Sequence, residues 1–209
     1  MGPWRKARHG PFRFWRNLSF TAAGHRAGRA FFFAGETMSI FQAALLTVFP
    51  ALLIVAALSD VTSYTIPNRI SVLLAAAFFP TAFALGRPLA EIGLDMGLCV
   101  GALVLAMGMF AAGWIGGGDA KLLAVAVLWL GWPAVLTFLV YASLSGGLLA
   151  IILLNIRSTA LRPYLDGAPS WLTRLAEPNE AVPYGVAIAV GGLAAFPQSA
   201  LVLAFHGSF

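Results

Sequence analysis

The chain has 209 residues, 60% of them hydrophobic and only 10% charged, with a net charge of +5. A soluble domain carries about 25% charged residues, so this composition describes an integral membrane protein, which the series of apolar runs below makes all-α and polytopic. The single cysteine, Cys99, lies in an apolar run, and His9, His25 and His206 lie near the chain ends, which excludes a disulfide framework, a cysteine metal site, an intramembrane serine–histidine dyad and a His-Glu-x-x-His zinc site.

Residues 1–37 hold seven of the thirteen Lys and Arg, interleaved with Phe and Trp. They read as a basic segment lying on anionic lipid, or as sequence preceding a true start at Met38. No apolar core followed by a small-residue cleavage site is present, which argues against a cleaved signal. The expected division is therefore a basic tail, 1–37, and a membrane domain, 38–209. From Ile40 onward six apolar runs are expected to cross the bilayer, at 40–59, 70–86, 92–113, 119–132, 134–155 and 183–204. The fourth is short and passes through Gly131-Trp132-Pro133 into the fifth, which predicts a tight hairpin.

Two carboxylates stand at the edges of these runs: Asp60 after the first and Asp119 after the third. A charge at mid-bilayer costs roughly 2.5–3.5 kcal/mol, so such a residue is a functional-site hypothesis by default. Two crossings lie between them, so both emerge on one membrane face. Loops one, three and five carry Arg69, Lys121, Arg157, Arg162 and Arg174, against Arg87 alone in loops two and four, which puts that face in the cytoplasm. The seven tail charges would reverse this count, and a start at Met38 removes the conflict. Glycines 113, 116, 117 and 118 before Asp119 permit unusual torsions and close backbone approach, so an extended substrate can lie there strand-fashion.

Elsewhere plainer readings are preferred. Gly93, Gly97 and Gly101 repeat every four residues and are expected to pack helix on helix, as are Gly146-Gly147 and Gly191-Gly192. Glu91 and Asp95 are expected to cap the start of span three. The loop from 156 to 182 reads as an amphipathic surface segment on the cytoplasmic face or a plain connection. Lys121 is expected to reach lipid headgroups, and Pro67 and Asn68 to fix the turn after Asp60.

Two neighbouring aspartates in a partly dry site hold one proton between them. The ionised member draws a proton from water while the protonated member polarises a peptide carbonyl, which is aspartic-protease chemistry and needs neither metal nor cofactor. Paired acids also describe a proton-coupled transporter, which would place them at mid-membrane in an inverted repeat, and the chain could also be a non-catalytic assembly component.

Leu58-Ser59-Asp60 followed by Ile66-Pro67-Asn68 resembles the first signature of the type IV prepilin peptidases, the A24 aspartic peptidases. Gly116-Gly117-Gly118-Asp119-Ala120-Lys121 resembles their second, a Gly-x-Gly-Asp motif also found in presenilin-like proteases, and Val182-Pro183-Tyr184-Gly185 resembles a third element. The resemblance implies a membrane peptidase of about six helices in the bacterial inner membrane, with Asp60 and Asp119 catalytic at the cytoplasmic face. Gly116, Gly117, Gly118, Lys121, Pro67 and Asn68 are expected, from their own place around the two aspartates, to bind or position the substrate. The implied partner is a pilin precursor, with lipid and pilus assembly machinery as further contacts and no nucleic acid. The cysteine-rich zinc module and methyltransferase region of the long members have no counterpart, so the resemblance does not extend to methylation. The chain is most similar to the short form of tight-adherence systems, the CpaA/TadV branch, which implies an Flp-type pilin.

Overall fold

The computed structural model describes residues 22–132, 134–157, 173, 175, 177 and 182–207. The expectations for the first 21 residues and for most of the 156–182 loop lie outside that set. The chain divides into two units, Met1–Ile40 and Phe41–Phe209. The first is helical over residues 22–40; everything below concerns the second.

The described residues include seven helices: α1 (Ala22–Ser63), α2 (Asn68–Ala84), α3 (Leu89–Ala111), α4 (Gly117–Leu130), α5 (Ala134–Ile156), α6 (Tyr184–Ala195) and α7 (Ala200–Gly207). Four stretches are long and apolar enough to cross a membrane: Met38–Ser63, Leu89–Ala111, Ala134–Ile156 and Tyr184–Gly207. The other two expected spans, α2 and α4, have 17 and 14 residues. At 1.5 Å per residue α4 is only about 21 Å long, against a hydrocarbon core of about 30 Å. The last span is broken: a 3₁₀ turn, Phe196–Gln198, with Pro197 inside it separates α6 from α7.

The core forms around α4, whose residues from Ala124 to Leu130 are all buried. A helix apolar on every side must be covered on every side, and here α2, α3, α5 and α6 all pack on it. Trp129 is fully buried, donates its indole N–H to the Leu74 carbonyl at 2.9 Å, and stacks on Phe49 at a centroid distance of 5.3 Å. That contact ties α1, α2 and α4 together. Between α5 and α6 the backbones nearly touch, since a Cβ on Gly191 would meet the Ala142 nitrogen at 2.7 Å. Gly192 lies similarly against Leu53, and Gly146 against Ala187. The packing expectation holds for those three glycines.

It fails for Gly93, Gly97, Gly101 and Gly147, where an added Cβ would meet nothing within 4 Å. The four-residue repeat makes a smooth face on α3, but the buried residues of that helix, which packs on α4, are Ile92, Asp95 and Ala106. Small residues permit close packing without bringing a partner to the spot.

Asp95 is a second correction. Instead of capping α3 it is buried, with side-chain exposure of 5%, and bonds Arg87 at 2.7 Å; Arg87 is itself 6% exposed and reaches Glu91 at 3.4 Å. Its other oxygen lies against the turn that ends α4, 2.7 Å from where a Cβ on Gly131 would sit. Gly131 has φ +61°, a torsion that suits glycine. A buried carboxylate needs an opposite charge more than a helix terminus does, and Arg87 in the α2–α3 turn supplies it.

Breaking this pair from one side leaves a charge buried alone. Arg87→Met is expected to destabilise the fold by about 3–5 kcal/mol, and adding Asp95→Leu to recover most of the loss. Denaturant titration in detergent, following tryptophan fluorescence, measures both.

Candidate active site

The site is assembled from the ends of four elements. α1 runs beyond the expected end of the first span, so Asp60 sits inside its last turn and not after it. The extension has a local cause: Thr62 Oγ1 bonds the Leu58 carbonyl and Ser63 Oγ the Ser59 carbonyl, both at 2.7 Å, so polar side chains lie along the helix without leaving it. Tyr64, with φ +52°, ends the helix, and the chain turns through Pro67 into α2.

Asp119 is the third residue of α4. Its Oδ2 accepts the backbone N–H of Gly116 at 3.2 Å, the reach-back that favours an acid in a first turn. Gly116 leaves room for this, as a Cβ there would lie 2.9 Å from that same oxygen.

Asp60 is held from the far end of the sequence. Gly185, at the start of α6, donates its backbone N–H to Asp60 Oδ2 at 2.6 Å. A Cβ on Gly185 would lie 2.8 Å from that oxygen and 2.8 Å from Ile66 Cδ1. Ile66 also presses on the glycine run, 3.1 Å from where a Cβ on Gly118 would be. One buried isoleucine thus wedges between the element that carries Asp119 and the element that holds Asp60, and glycine is required on both sides of it.

Asp60 and Asp119 are both buried, at 5% and 8% exposure, and the charge of Asp60 acts on Asp119. Fifty-eight residues of intervening chain, forming α2 and α3, bring the second carboxylate back to the first. Two carboxylates so placed can share a proton, take one from water and give one back.

The remaining sequence-derived residues are distributed unevenly. Lys121, expected at the headgroups, donates to Asn68 Oδ1 at 2.9 Å. That bond joins the exposed starts of α2 and α4, and Asn68 is engaged there and not in a local turn bond. Pro67 precedes α2 with φ −60°, and its carbonyl accepts the Ile70 N–H. Gly117 lies on the Phe110 ring and Gly118 on Ile66, so both face protein, while Gly116 is exposed. Ile66 and Gly185 belong to the signature segments but show no role in sequence, and contact geometry supplies one. Among the described residues no cluster of His, Cys, Asp and Glu suits a metal ion.

A cavity of about 420 Å³ opens beside Asp119, walled by Ile115, Ser143, Gly146, Tyr184 and Ile188 among others. Apart from the carboxylate and the Ser143 and Tyr184 side chains, the lining named here is apolar.

Residues 47–151 match the model of the type IV leader peptidase family, a stretch that includes Asp60 and Asp119 and stops short of Gly185. No curated protein and no solved structure matches the chain.

Gly185→Ala is expected to push Asp60 and Ile66 aside and cost roughly 1–3 kcal/mol, whereas Gly147→Ala, which meets open space, is expected to stay within about 0.5 kcal/mol of the parent. Thermal unfolding of the two variants in detergent compares them directly.

Proposed function

The chain belongs to the type IV leader peptidase family, and is therefore a membrane protease; on that footing we propose that it removes the amino-terminal leader of type IV pilin precursors at the cytoplasmic face of the inner membrane, with Asp60 and Asp119 as the catalytic pair. The observation that carries this reading is a pair of buried carboxylates from distant parts of the chain, each anchored by a backbone N–H, with the charge of Asp60 felt at Asp119.

The reaction follows from that arrangement. The ionised carboxylate takes a proton from water as the water oxygen bonds to the scissile carbonyl carbon, and the protonated partner gives its proton to the carbonyl oxygen. In the tetrahedral diol the first carboxylate now carries a proton. It passes that proton to the peptide nitrogen, the C–N bond breaks, and a diol hydroxyl returns a proton to the second carboxylate. Acid and amine leave, and the pair again holds one proton.

Placement favours this over an ion pathway, because Asp60 lies in the last turn of α1 and Asp119 in the first turn of α4, at helix ends and not midway along them. Helical peptide bonds are shielded, so the substrate must unwind there to be cut. The exposed Gly116 and the Lys121–Asn68 bridge stand at this rim and would position the unwound strand. The basic loops that flank the pair support a cytoplasmic orientation. The resemblance to the CpaA/TadV branch supports a small Flp-type pilin as the substrate.

Asp60→Asn and Asp119→Asn are each expected to slow leader removal by roughly 10²–10⁴-fold. Co-expression with an Flp-type pilin precursor and a gel-mobility assay reads the result. Processing that persists at the parental rate in either variant removes the two-aspartate mechanism.

A further inference from the structure

The cavity beside Asp119 does not end there. It shares Met109, Leu123 and Leu139 with a second, larger hollow of about 790 Å³, whose walls come from α3 and α5 and whose floor is α4. The second hollow is lined by Gly93, Gly97, Gly101, Leu123, Val127 and Leu139 among others, and reaches Trp132 at the far end of α4. From Met109 to Gly93 is 16 residues of α3, or about 24 Å of groove. Its flanks are exposed Leu94 and Leu105, at 70% and 73%, so it faces the hydrocarbon and not water.

We infer that this groove is where the enzyme holds an apolar, membrane-embedded helix of the chain it cleaves. The inference rests on the peptidase reading above. The groove starts at a catalytic carboxylate, so what occupies it is continuous with the chain being cleaved. Its lining is apolar along its length, so that chain is apolar where it lies here. In hydrocarbon the segment must satisfy its own backbone and is therefore a helix. The floor of the α3 wall is glycine at 93, 97 and 101 with open space above each, which lets a helix backbone come close. Hydrophobicity does not drive such association within lipid, so shape fit along that wall decides which helices bind.

The test compares the parent, Gly101→Ala and Gly101→Leu on two substrates in detergent: a type IV pilin precursor with its leader and first apolar helix, and a peptide of the same leader ending a few residues after the cut. A side chain at 101 points into the groove and meets no neighbour in the fold. Gly101→Leu is expected to raise KM for the precursor roughly tenfold or more and leave kcat and the peptide's kinetics unchanged, with Gly101→Ala close to the parent. Equal kinetics for parent and Gly101→Leu on the precursor would mean that lipid alone fills the groove, and would overturn the inference. Equal losses on both substrates would overturn it too, since the damage would then lie at the aspartates. A second measurement does not depend on turnover: a benzophenone in the precursor's apolar helix, mixed with Asp119→Asn, is expected to cross-link to residues 93–109. Adducts confined to other helices refute the groove. Failure of the parent to process the precursor at all would strike the peptidase reading instead, and the cross-link position would still decide the groove.

Discussion

The hydrogen bond from the Gly185 backbone to Asp60 is the constraint on which the site depends. It joins the last membrane helix to the first across 125 residues of sequence. Because the donor is a backbone N–H at the start of α6, the carboxylate is fixed by the position of a whole helix and not by a mobile side chain. Ile66 completes the arrangement by filling the space between Gly185 and Gly118. An error in the height of any one of α1, α4 or α6 would separate the two acids, so the packing of the helix bundle and the chemistry at its rim are the same problem.

That packing rests on α4. Its small and apolar residues face neighbours on every side, and Trp129 near its far end locks it to α1 and α2. Asp95, neutralised by Arg87, closes over the turn after Leu130. The helix is thus held at both ends, by the Gly116 turn with Asp119 at one and by a buried ion pair beneath Gly131 at the other. A carboxylate on the first turn of so confined a helix has little freedom to drift, which is what the proposed alignment of a water molecule and a peptide by Asp119 requires.

Much of this was legible in the residues themselves. The apolar runs located the helices, and span counting put Asp60 and Asp119 at one end of the bundle. The break between α4 and α5 was readable from Gly131. What escaped was whatever depends on a partner distant in sequence. Asp95 at the start of α3 looks like an ordinary helix-start acid, and nothing local says that Arg87 is buried with it. Lys121 looks like a headgroup anchor until α2 brings Asn68 beside it. The glycine repeat of α3 specifies a smooth wall but not whether another helix of the same chain covers it. Gly185 could be matched to a signature, yet its role needed the geometry, since a glycine advertises only the absence of a side chain.

The brevity of α4 has a consequence for the surrounding lipid. A helix about 21 Å long cannot reach both surfaces of a slab about 30 Å thick. Because neighbouring helices cover α4 on every side, its missing length leaves a dip in the protein above its first turn, through which water can come down to the depth of Asp119. The thickness of the host membrane then becomes a control on hydration of the acids: longer acyl chains bury them deeper and dry them, and shorter chains flood them. Acyl-chain composition would in this way act on the enzyme as a rheostat, with no lipid binding to any particular pocket.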